Sequence, residues 1–100
     1  MNSKIRLDPI SGAFDLRVYA DSGDSSVPLS KEMREYTTVG RVIIAGETAV
    51  VTGVHGGMSD KEAWADFDEV MRSRGVAQVL WERHKNGKIL MKKRYCVKRK

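Results

Sequence analysis

Few side chains in this 100-residue chain have the chemistry for catalysis or recognition. They are His55, His84, Cys96 and a set of cations around Trp81. His55 sits beside Gly56 and Gly57 and has the reach of a loop general base. Neither histidine falls in a metal or triad spacing, so no catalytic residue is assigned. Cys96 lies among cations, which can lower a thiol pKa, but it has no partner in the sequence and reads as structural. A single cysteine also excludes an internal disulfide and a multi-cysteine zinc site. Asp21, Ser22, Asp24 and Ser25 offer oxygens for a hard cation, yet the closing acidic ligand of a calcium loop is absent, so no metal is expected. Nor do the residues call for a cofactor.

Recognition has more support than catalysis. The net charge of +5 divides unevenly along the chain: residues 1–70 carry 7 Lys/Arg and 12 Asp/Glu, and residues 71–100 carry 11 Lys/Arg and only Glu82. Such segregation marks a surface for a polyanion or, alternatively, a solvated basic tail facing the acidic half of its own fold. Trp81, Arg83, Lys92 and Arg94 share one face of a hairpin; one flat ring among cations is how single-stranded nucleic acid is held. The same Trp81, with Val79 and Leu90, can instead face a helix and form core. In both cases a rim of Lys85, Lys88, Lys92, Lys93, Arg94, Lys98, Arg99 and Lys100 remains. It would bind phosphates without reading sequence and weaken with salt. A second anion site is conceivable at Gly56 and Gly57, where a glycine loop feeds a helix N-terminus, although Asp60 and Glu62 already place negative charge there.

These residues must be positioned by strands and one helix. Ile5 and Leu7, then Phe14, Leu16 and Val18, alternate with polar residues around a Pro/Gly turn and predict a first hairpin. Asp21 to Pro28 reads as a surface loop, and Ser30 to Tyr36 as a short helix with Leu29, Met33 and Tyr36 on one side. Val42-Ile43-Ile44 and Val50-Val51, joined by Gly46-Glu47, predict a central hairpin covered on both faces. Ser59 to Arg74 has the signature of an amphipathic helix: a Ser59/Glu62 capping box, an apolar stripe of Ala63, Trp64, Phe67, Val70 and Met71, and Gly75 at the C′ position. Asn86-Gly87 predicts a last hairpin, from Val76 to about Val97, with Lys85 opposite Lys88 and Trp81 opposite Lys92. The expected fold is a single α+β domain over residues 1–100 with a basic tail at 98–100. It has an antiparallel sheet of about six strands, in three hairpins, and one main helix on one face.

The run from Val50–Val54 through Gly53-Val54-His55-Gly56-Gly57 and the helix to Val76–His84 resembles the strand–loop–helix–strand unit of GNAT acetyltransferases. The phrasing Gly75-Val76 … Leu80-Trp81-Glu82-Arg83-His84 is also similar to that of small phage or prophage proteins. The resemblance implies acetyl-CoA at a loop written Arg/Gln-x-x-Gly-x-Gly/Ala. With its first Gly on Gly56, Gly53 stands in place of Arg/Gln and Met58 in place of Gly/Ala. No catalytic residue carries over.

The leading expectation is therefore a small non-enzymatic binding protein, plausibly phage-encoded. Its basic hairpin would engage nucleic acid or an acidic protein. The alternatives are a GNAT-like acetyltransferase or its inactive relic, and a structural or inhibitory protein that assembles through strand edges, homo-oligomers included. No run of residues has the length and apolarity of a membrane span, and the N-terminus has no signal-like apolar core, so the expected setting is cytoplasmic.

Overall fold

The computed structural model describes residues 2–58 and 60–96, with Lys85 described by its backbone alone. The chain runs β1 (Asn2–Ile10), β2 (Ala13–Asp24), a 3-10 turn (Leu29–Lys31), β3 (Tyr36–Ala45), β4 (Thr48–His55), α1 (Lys61–Ser73), β5 (Gln78–Lys85) and β6 (Lys88–Tyr95). The strands form one sheet in sequence order. All three predicted hairpins form. Gly46 has φ 60° at the first turn position of β3–β4, while Asn86 and Gly87 have φ 53° and 74°, the pair of positive values that a type I′ turn requires.

The sheet is mixed rather than wholly antiparallel, because β4 pairs with β5 in parallel. The reason is topological. A helix crossing between two strands returns the chain to the same end of the sheet, so neighbours joined that way run parallel. Two local expectations also change. Residues 30–36 form only the 3-10 turn, and Leu29, Met33 and Tyr36 are exposed, Met33 by 91%, so no apolar side exists there to pack a helix. The stretch read as a loop from Asp21 begins as strand, since β2 continues to Asp24 opposite Asn2.

Helix α1 covers one face of the sheet, here called the inner face. Its N-cap is Asp60, whose side chain accepts from the Glu62 amide, whereas Ser59 lies outside the described residues. The C-terminus closes as a Schellman motif: Val76 N–H donates to Met71 O and Gly75 N–H to Arg72 O, both at 3.0 Å, with Gly75 at φ 79°. Ala63, Phe67 and Met71 are buried against Ile5, Leu16, Val42, Val51, Val79 and Trp81. The sheet curls so that strands from both its edges reach the helix: the Lys4 amide donates to Asp66 at 2.9 Å, and Arg94 forms a two-point pair with Asp68 at 2.7 and 2.8 Å. With one helix, the outer face stays largely uncovered; Ile43 is 44% exposed, contrary to the two-sided burial expected of the central strands.

Candidate ligand cleft

The cleft begins with a glycine. Between the pairs Arg41↔Thr52 and Val39↔His55, β4 carries one residue more than β3. Gly53 sits in this bulge at φ 61°, a conformation that glycine adopts without steric cost. A bulge bends its strand, and here the bend falls where β4 leaves β5. The last parallel pair is Val51↔Trp81, yet β4 continues to His55 and β5 to Lys85. The diverging ends frame a cleft of about 920 Å³ at the carboxyl ends of both strands. In sheets with helical crossovers this is where ligands bind, because no backbone fills the gap.

The floor of the cleft is fixed. Gly56 lies so close to β3 that a Cβ would fall 2.3 Å from Thr37 O, so this glycine serves backbone packing. Thr38 Oγ1 donates to Gly57 O, and Trp64 Nε1 donates to Met58 O at 2.6 Å, fastening the loop to β3 and to α1. Both glycines line the cleft, but a Cβ on Gly57 would meet nothing within 4 Å, so only the first is held by close packing. The helix N-terminus beyond already has its anion in Asp60. Its carboxyl is lowered by the hydrogen bond from Lys4, 2.7 Å away, and then by that from the Glu62 amide.

Trp81 occupies the core alternative. It is 7% exposed, with its ring centroid 4.9 Å from that of Trp64 and 5.4 Å from that of Phe67, so it contributes a wall edge and offers no open ring face to a base. Arg94, expected as a free cation, lies with its guanidinium 4.4 Å from the Trp64 ring centroid and is paired with Asp68. Arg83, Lys92 and Lys93 also line the cleft; they are exposed and form no ion pair among the described residues. Lys88 stands at the hairpin tip, opposite Lys85 and away from the cleft. Lys98, Arg99 and Lys100 lie outside the described residues.

His55 lines the cleft near the glycines, and His84 Nε2 lies 2.7 Å from Glu82 Oε1 on the same strand. Burial, then Asp68, push the Cys96 thiol up, which suits a structural residue and not a nucleophile. No group of three or more metal-ligating side chains occurs among the described residues. No helix among them is long and apolar enough to cross a membrane.

Comparison with protein-family models, with curated proteins and with solved structures gives no match. Sequence reasoning missed the cleft itself, although two signals pointed to it: a lone glycine inside a β-branched strand, and a helix linking two strands.

Proposed function

We propose that this protein binds a phosphate-bearing small molecule of the nucleotide-cofactor class in the cleft between β4 and β5. One observation carries the reading: two parallel strands part after Val51 and Trp81, and three cations with no carboxylate partner among the described residues, Arg83, Lys92 and Lys93, border the gap. Phosphates would rest on these cations and not at the helix N-terminus, which Asp60 fills. Beyond the bulge, β4 has no partner strand on the β5 side among the described residues, so its backbone there can hydrogen-bond an extended, amide-containing arm. The resemblance to the acetyltransferase unit makes coenzyme A the first ligand to try. Gly57 leaves room for it, and the cations suit its phosphates. The missing Arg/Gln at Gly53 moves the expected phosphate contacts from the loop to the hairpin. A nucleic-acid strand shares the phosphate chemistry, but with Trp81 covered by other rings it would lose the stack that usually anchors a base.

Isothermal titration calorimetry with coenzyme A, acetyl-CoA, pantetheine and a single-stranded oligonucleotide tests the reading. Saturable heat is expected with the first two, weakening as salt rises and much smaller with phosphate-free pantetheine. Silence with every phosphate-bearing ligand would overturn it, and heat from the oligonucleotide alone would replace it.

A further inference from the structure

The outward edge of β6 has a use that the cleft does not require. β6 is the edge strand of the sheet, so one side of its backbone pairs with β5 and the other meets no strand among the described residues. The phase of the ladder identifies the outward groups. A two-residue turn makes its flanking pair, Lys85 and Lys88, hydrogen-bonded, and hydrogen-bonded pairs then alternate along the ladder. The 3.0 Å bond from the Cys96 amide to Ala77 O falls in that phase. The amides of Ile89, Met91, Lys93 and Tyr95 are therefore turned away from β5. The side chains of these same residues lie on the outer face, where Ile89 is 63%, Met91 47% and Tyr95 62% exposed. An edge that is both unpaired and apolar invites another strand.

Charge selects the occupant. Lys88, Lys92, Lys93 and Arg94 make β6 a strand of four cations with no acid. Pairing β6 antiparallel with most of β6 of a second copy would set Lys88 opposite Lys92 or Arg94, or Lys92 opposite its own copy, which is destabilising. Nucleic acid would meet the cations but cannot supply alternating donors and acceptors at strand spacing; a polypeptide can. We infer that β6 is a docking edge for an extended acidic peptide segment of a partner protein. The segment would add as a further strand, with alternate apolar side chains over Ile89, Met91 and Tyr95 and carboxylates toward the lysines. The inference shares Lys92 and Lys93 with the cleft reading. Its apolar contacts, Ile89, Met91 and Tyr95, do not line the cleft, so exchange at these three residues tests it separately from coenzyme A binding.

Hydrogen exchange followed by NMR decides it. The probes are a short peptide alternating Glu with Val, a peptide of the same charge interrupted by prolines, its Lys-for-Glu counterpart, and a single-stranded oligonucleotide. The Glu/Val peptide is expected to slow exchange about tenfold or more at Ile89, Met91, Lys93 and Tyr95, and the other three probes are expected not to. Met91→Pro removes one outward amide while sparing the bonds to β5, and should abolish the slowing. Should that variant fail to fold, Met91→Glu, at an exposed position, should weaken the peptide about tenfold while leaving the fold intact. Equal effects from the proline-bearing peptide, slowing by the oligonucleotide alone, or no slowing by the Glu/Val peptide would each overturn the inference.

Discussion

The cations of the two halves of the molecule are used differently: four of the six in residues 1–50 sit in ion pairs, with Lys31 and Arg41 exposed outside them. Most of the described cations on the C-terminal hairpin stay open. In the N-terminal half, Lys4 pairs with Asp60 and Glu62, Arg6 with Asp8 and Glu32, Arg17 with Asp8, and Arg34 with Glu32. Arg34 goes further: its guanidinium donates to Ser3 O and Asp21 O and lies 4.2 Å from the Tyr19 ring centroid, tying the 21–34 segment to β1 and β2. In the C-terminal hairpin Arg94 is absorbed in this way, while among the described side chains Arg83, Lys92 and Lys93 are left facing solvent at the cleft. The difference teaches that net charge alone does not identify a binding surface. A cation available to a partner is one that the fold has not already neutralised.

The sharpest way to break this contrast is Glu32→Gln. The side chains of Glu32 and Arg6 are 7% and 4% exposed, and the substitution would leave two arginines without their shared carboxylate. A loss of about 3 kcal/mol in chemical denaturation is expected, the usual cost of stranding a covered charge. Acid should reach the same contacts by protonation. The hydrogen bond from Arg34 is the main cause that holds the Glu32 carboxyl down, at about 2 against its ordinary 4.5. A depressed carboxylate stabilises the fold fully above its unfolded pKa. That stability should therefore fade as pH drops from 4.5 toward 2, and Glu32→Gln should flatten the dependence in this window. At the other extreme, burial raises the Tyr19 phenol, so its share is present below its ordinary 10.0 and is lost as pH climbs beyond it.

Asp68→Asn should cost less, about 1 kcal/mol by thermal denaturation, because Arg94 is already 36% exposed and can be rehydrated. It would also release a further cation beside the cleft and strengthen coenzyme A binding. The smallest effect on stability, within about 0.5 kcal/mol, is expected of Lys92→Ala and Lys93→Ala, which break no ion pair. In calorimetry the same substitutions should weaken coenzyme A about tenfold each, since each removes a phosphate contact. Stability and binding would thus separate by region.

What was legible in the sequence was local. Asn86-Gly87 set the β5–β6 register residue by residue, and Gly75 marked the helix end. The apolar stripe held the buried Ala63, Phe67 and Met71 and the half-buried Trp64 and Val70, though not the buried Asp68. Each depends on neighbours a few positions away. The rest depended on distant partners. Arg94 was placed correctly on its strand, but its use was decided by Asp68, 26 residues earlier. The residues from Asp21 to Arg34 have weak local preferences and owe their path to Arg34, which reaches back 31 residues to Ser3. The β4–β5 pairing was missed because turn chemistry says nothing about strands joined through a helix.

The clasp of Lys4 on Asp66, 62 residues apart, has a kinetic consequence. Hairpins and helix close short loops and can form early, whereas docking β1 on α1 closes a long one, and long closures come at high entropic cost. Folding should finish with the docking of β1 on α1. Unfolding, running the path in reverse, should begin by peeling that strand from the helix.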